Sequence, residues 1–255
     1  MTLGKGQVNV TRKWKRWMAV SCSHGHLANA AACKAALLMK KKWAPDMTLH
    51  LGDFVDLSSL MGSARRDPDS PERTDSIRKD FDAGLNFLQE LSAQIIFEGN
   101  HEHRLTSLQY SPSAIVAHCC TSAKSEIHNT CKDLKAKWVP YDIERGWVDL
   151  GGTAFGHGYM FSESSAVRDH VEMVRKPVVI GHLHRIDRVA GRSFGGPVGW
   201  SIGCLADIPS MHYARRNRSV TRWAHGVAWG EYVPGGEGCT VNVLSPVNGE
   251  WRFPL

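Results

Sequence analysis

The chain has no run of apolar residues approaching the ~20 that a membrane span requires, and its first residues lack the apolar stretch of a secretion signal. Lys5, Arg12, Lys13, Lys15 and Arg16 lead instead directly into a strand-like segment. Neither a leader nor an anchor is read, and a cytoplasmic location without membrane contact is the expectation. C-x-x-C pairs are also missing. The seven cysteines are odd in number and scattered, which suits a reducing compartment better than a disulfide framework. Adjacent Cys119 and Cys120 are expected to be buried packing residues. There is no internal repeat and no low-complexity linker, so one domain is expected over 1–255, with a basic N-terminal extension at 1–16.

The bulk properties of the chain are those of a soluble globular protein. With 255 residues, 42% of them hydrophobic and 22% charged, it is long enough for a sizeable core and too apolar for disorder. A formal charge of +6 and a pI near 9.0 favour polyanionic partners, nucleic acid among them, without requiring one. The thirteen histidines say more, because several stand in Gly-flanked clusters where packing has little use for them.

Short apolar runs ending in polar clusters recur through the first two thirds. Residues 17–21, 47–51 and 94–97 read as strands, and 28–42, rich in Ala and Lys, reads as a helix. Over 76–92, Ile77, Phe81, Leu85 and Leu88 repeat at helical spacing. This alternation predicts β-α-β units with parallel pairing. Strands at 153–155, 178–180, 199–205, 226–233 and 240–244 follow, separated by Gly and Pro, and predict a second sheet that runs largely strand to strand. The polar stretch 57–75 reads as an exposed loop or lid.

Five clusters carry the chemistry: Ser21-Cys22-Ser23-His24-Gly25-His26, Gly52-Asp53-Phe54-Val55-Asp56, Gly99-Asn100-His101-Glu102, Gly156-His157-Gly158 and Gly181-His182-Leu183-His184. Four of them follow strand-like runs, and the carboxyl ends of strands are where open α/β sheets bind ligands. Imidazole, carboxylate and amide donors together suit Mn, Fe or Zn rather than calcium. In an extended segment His182 and His184 would leave the same face and serve two adjacent ions. Taken singly, each cluster also reads as an ordinary turn, with Asn100 as a helix cap or His26 as a surface residue. Five such turns, each ending with ligand-type side chains in this order, are hard to assign to chance.

In these clusters the chain resembles the calcineurin-like metallophosphoesterase superfamily, whose ordered motifs are Asp-x-His, Gly-Asp-x-x-Asp, Gly-Asn-His-Glu/Asp, a later His and Gly-His-x-His. The resemblance spans about residues 17–186, and its compact style is similar to phage-encoded members. It implies a four-layer αββα sandwich of two mixed sheets, holding two divalent metal ions, with Mn the best support for activity. It implies that Asp53 bridges both ions, that His24 and His184 complete one site, and that Asn100, His157 and His182 complete the other. His101 would protonate the leaving group or orient the phosphate, and Asp56 would support the site. The family's first motif begins with Asp where this chain has Cys22. Cys22 either ligates as a thiolate, shifting preference towards Zn or Fe, or is a buried thiol beside a weakened first site.

Two ions of this kind would lower the pKa of a shared water for in-line attack on a phosphate ester. Arg65 and Arg66, in the loop after the second cluster, and Arg104, close behind His101, are candidate substrate contacts. Arg215, Arg216, Arg218 and Arg222 stand near Tyr213 and Trp223, which suits a nucleic-acid backbone or a solvated positive face. A phosphodiesterase or nuclease is the favoured reading. A phosphomonoesterase, acting on protein or nucleotide, and a non-catalytic binding module are the alternatives.

Overall fold

The computed structural model describes residues 13–214 and 218–253. Residues 1–12 of the basic extension expected at 1–16, and the side chains of residue 213 and of the basic run at 215–218, lie outside what it describes, while Lys15 and Arg16 of that extension belong to the first strand. The first half runs β1 (Lys15–Val20), α1 (Ala30–Trp43), β2 (Met47–His50), α2 (Gly62–Arg66), α3 (Ile77–Leu91), β3 (Ile95–Phe97), α4 (His103–Leu108), α5 (Ala114–Asp133) and β4 (Lys137–Val139). The second half runs β5 (Val148–Leu150), β6 (Thr153–Gly156), α6 (Ala166–Val174), β7 (Val178–Ile180), β8 (Ile186–Ala190), β9 (Val198–Ile202), β10 (Val227–Tyr232) and β11 (Asn242–Leu244). Side-chain caps mark two helix starts: Asn29 accepts from Ala32 N–H at 3.0 Å, and Ser76 from Lys79 N–H at 3.3 Å.

One sheet has the order β11-β10-β1-β2-β3-β4 and the other β5-β6-β7-β9-β8. β1 to β4 are parallel, as are β6, β7 and β9, while β10, β11, β5 and β8 are antiparallel to their neighbours. Period-two alternation divides each strand between two cores. Trp17, Ala19, Leu49 and Phe97 pack on Phe155, Val179 and Ile202 between the sheets. Met18, Val20 and Ile96 turn outward against Met39, Phe81, Leu88 and Ile127 of α1, α3 and α5. Ala154, Val178 and Ile180 of the second sheet meet Ala166, Val167 and Val171 of α6. The αββα sandwich of two mixed sheets is therefore present.

Two expectations are corrected. The last two strands do not join the second sheet. β10 pairs antiparallel with β1, Lys15 opposite Tyr232, and carries β11 on the edge of the first sheet. The second sheet runs largely strand to strand as expected, β5 to β6, β7 to β8 and β8 to β9 joining directly, and α6 makes the one crossover, between the parallel pair β6 and β7. Cys119 is exposed, and only Cys120 of that pair is buried. All seven cysteines are free. Segment 57–75 is partly helical, with Arg65 and Arg66 exposed but Leu57, Ser58 and Ala64 buried. Among the described residues no helix is long and apolar enough to cross a membrane.

Candidate metal centre

Because β1, β2 and β3 are parallel neighbours, the loops that follow them leave the same rim of the first sheet. β6 and β7 do the same in the second sheet. All five clusters thus follow strands and converge across the two sheets. Backbone hydrogen bonds fix the first two loops together: Cys22 N–H to Gly52 O at 2.9 Å, His24 N–H to Asp53 O at 3.0 Å and Gly25 N–H to Phe54 O at 2.9 Å. The Glu102 carboxylate then gathers three backbone donors, Asp53 N–H at 2.9 Å, Val55 N–H at 3.0 Å and Gly99 N–H at 2.7 Å. His101 N–H donates to Asp53 Oδ1 at 3.0 Å. A Cβ on Gly99 would lie 2.1 Å from that same oxygen, so only glycine lets the third loop approach.

Cys22, His24, Asp53, His182 and His184 all have φ between 52° and 59°. Left-handed backbone at non-glycine residues is uncommon, and each case costs on the order of 1–3 kcal/mol. The last pair corrects an expectation. His182 and His184 do not extend from a strand but sit in a left-handed turn between β7 and β8. This turn, rather than strand alternation, sends them to different partners.

Two donor groups share Asp53. One contains Cys22, His24, Asp53 and His184, and the other Asp53, His157 and His182, with donor atoms within 4.8 Å of one another in each. Asn100 joins the second, its Oδ1 lying 3.0 Å from His157 Nε2 and 2.8 Å from His182 Nδ1. It does not cap α4. In the first group, His24 Nε2 and His184 Nε2 stand 3.0 Å apart.

The tautomers follow from the partners behind each ring. His24 Nδ1 is 2.8 Å from Asp56 Oδ1 and His157 Nδ1 is 2.7 Å from Leu51 O, so both Nδ1 atoms carry the proton and both Nε2 atoms present lone pairs. The Nε2 lone pair of His157 faces Asn100 Oδ1 and, at 3.3 Å, Asp53 Oδ2. Bare acceptors held this close call for a cation or a proton between them. His184 Nδ1 is buried with no partner. Burial lowers His182 to about 3 and holds His184 well below its usual range, leaving both imidazoles neutral, as ligation requires. Burial raises the Asp53 and Asp56 carboxyls, but the facing histidines more than reverse this and hold both well below the usual range. For His157 burial acts downward, yet the adjoining Asp53 carboxylate leaves its pKa raised. These donors fit two divalent ions, with Asp53 common to both. Burial pushes the Cys22 thiol well up, and Ser21 Oγ donates to its Sγ at 3.3 Å. Deprotonation there needs a cation.

Asp56 braces the group from behind. Its Oδ1 lies 3.3 Å from His101 Nδ1, while its backbone O accepts from that nitrogen at 2.5 Å. His101 Nε2 then faces inward, 4.0 Å from Asp53 Oδ2. Arg104 donates to the backbone oxygens of Asp56 at 2.7 Å and Leu57 at 3.2 Å. Arg222 donates to Glu163 O at 2.8 Å and lies 3.9 Å from Asp187. His26 is half-buried beside Asp80, with Nδ1 and Oδ1 3.2 Å apart.

Sequence reasoning left several supports unassigned. Asp80 of α3 is buried and accepts from Asp56 N–H at 3.0 Å and Leu57 N–H at 2.7 Å. A carboxylate on the apolar side of an amphipathic helix was the signal available for it. Glu102 stood in its motif without a role. His50, buried against Ser23 Oγ at 3.1 Å, had no motif to mark it, and Trp223, read only beside the basic run, has its ring centroid 4.3 Å from that of His184.

No family model matches the chain, and none of the curated proteins matches it. Among solved structures the chain is similar to a dimetal phosphatase from Danio rerio, at 11% identity and TM-score 0.43 over 91% of this chain and 96% of that one. It is similar to vacuolar protein sorting 29 from Cryptosporidium parvum, at 10% identity and TM-score 0.44 over 94% and 95%. It is also similar to the calcineurin-like phosphoesterase YfkN from Bacillus subtilis, at 9% identity and TM-score 0.41 over 94% and 88%. Likenesses this distant carry no weight beside the chain's own donor atoms.

Proposed function

We propose that this chain is a dinuclear-metal phosphoesterase that hydrolyses phosphate diesters, nucleic acid among them. The observation that carries the reading is the pair of donor groups joined through Asp53. Divalent ions held there, Mn, Fe or Zn, would supply an activated water and neutralise phosphoryl charge. Cys22, His24, Asp53 and His184 would hold one ion, and Asp53, Asn100, His157 and His182 the other.

The chain's own part in the reaction falls to His101. Burial and then Arg104 lower its pKa, so the ring rests neutral with Nδ1–H fixed on Asp56 O. An anionic ester arriving at Nε2 favours uptake of a proton from solvent on that nitrogen, and His101 passes this proton to the departing oxygen. Asp56 keeps the ring aimed. The charge of +6 and the exposed Arg65 and Arg66 support a polyanionic diester over a small monoester.

The test compares a nitrophenyl phosphodiester with the matching monoester in added Mn, with metal content measured throughout. The wild type should prefer the diester, and His101→Asn should keep its metal while losing about 10²- to 10⁴-fold in turnover. Preference for the monoester moves the substrate to phosphatase chemistry with the same residues. Bound metal with cleavage of neither would make a binding module the better reading.

A further inference from the structure

Exposure of the ligands decides how a substrate approaches. Cys22, His24, Asp53, His157 and His184 are buried, whereas Asn100 and His182 are partly exposed, so the centre opens on the side of the second donor group. One half-buried side chain flanks that opening without belonging to either group. Tyr141 follows β4, and its backbone N–H is fixed by the buried Glu98 carboxylate at 3.0 Å. Its ring centroid lies 5.8 Å from that of His157, 5.3 Å from His103 and 4.8 Å from Tyr159. A clamped backbone and three ring neighbours hold the phenol in place before any ligand arrives.

The two adjacent tyrosines differ in what their hydroxyls do. Tyr159 donates to Asp142 O at 2.6 Å. The Tyr141 hydroxyl has no hydrogen-bond partner among the described residues, although it stands beside a metal ligand in a site full of charge. A tyrosine hydroxyl ordinarily titrates at about 10, so the oxygen keeps its proton at neutral pH. A neutral phenol with an unused proton is a donor awaiting an acceptor.

We propose that Tyr141 binds substrate, its hydroxyl donating a hydrogen bond to a non-bridging phosphoryl oxygen of an ester held on the Asn100 and His182 side. This rests on the phosphoesterase reading. It adds to the reading a contact that orients the phosphoryl group opposite His101 and that none of the five clusters contains. A hydrogen bond from a neutral donor to an anionic oxygen is among the stronger kinds.

Tyr141→Phe deletes one oxygen and keeps the ring packing. Three readouts are needed on the Mn-loaded protein: metal content, calorimetric titration with inorganic phosphate, and kcat and KM for the nitrophenyl ester. The variant should keep its metal and its melting temperature, bind phosphate about tenfold or more weakly, and lose kcat/KM in similar proportion. Unchanged phosphate affinity beside an active wild type would overturn the role of Tyr141 alone. Loss of metal or a lowered melting temperature in the variant would make Tyr141 a structural residue and overturn the proposal. A wild type that binds metal but neither phosphate nor ester would remove the phosphoesterase reading, and the Tyr141 contact with it.

Discussion

Three backbone N–H groups converge on the buried Glu102 carboxylate, so Glu102→Ala leaves all three without an acceptor. The expected loss is about 3 kcal/mol or more in urea denaturation, with metal affinity falling as the Asp53 loop relaxes. His50 gives a separate prediction about pH. Burial lowers its pKa to about 3, whereas the unfolded imidazole titrates near 6.5. The folded state therefore binds fewer protons between those values, and the stability His50 contributes is lost as pH falls through that window, by about 2 kcal/mol at pH 5. Denaturation at pH 7 and pH 5 should show His50→Gln losing this share of the pH dependence. Cys22→Ala should purify with one ion per chain where the wild type holds two. Equal metal content in both proteins would show the thiol to be mere packing. The proposed ligands His24, Asp53, Asn100, His157 and His182 were legible because each adjoins a glycine after an apolar run. Glu102, Asp80 and His50 were not, because a side chain that serves backbone amides or a buried hydroxyl leaves no periodic or paired trace in a sequence.

α3 brings packing and chemistry into one element. Its buried side carries Phe81, Leu85 and Leu88 for the core, and Asp80 for the backbone of the second cluster. Gly84 sets the distance between the two: a Cβ there would lie 2.5 Å from Phe54 O and 2.7 Å from Val55 Cγ1. Gly84→Ala should therefore push the helix off the Asp53 loop, costing about 1–3 kcal/mol by overpacking despite the better helix former. Thermal melts and a metal titration on the same variant would check it, and unchanged metal affinity would show that the loop does not lean on α3. The helical spacing of α3 was readable, although Ile77, counted with its apolar set, is 39% exposed. The destination of β10 and β11 was not readable. Their alternation specifies a half-buried strand, but the partner β1 lies two hundred residues away, and nothing local distinguishes one sheet edge from another. α4 and α5 went unread because neither cluster spacing nor a sustained apolar stripe marks them.

For the molecule as a whole, the centre lies where the two sheets meet, beyond the apolar packing between them. His24, Asp53 and Asn100 come from the first, and His157, His182 and His184 from the second. Ions bound there would act as cross-links that exist only in the folded state. At metal concentrations a hundredfold above the dissociation constant each ion should add about 2.7 kcal/mol, and chelation of both should lower the melting temperature by roughly 10–20 °C. A melt that chelator leaves unmoved would argue against tight binding. The four-layer plan was legible because it follows from the strand–helix alternation and the ordered clusters together. Because Cys22, His24, Asp53, His182 and His184 lie in left-handed backbone, valine or isoleucine is disfavoured at each by its own main chain, before coordination is considered. Glycine, asparagine and aspartate are the replacements that backbone admits. A descendant that abandoned the chemistry would still keep small or polar residues at these positions, so the imprint of the centre would outlast its activity.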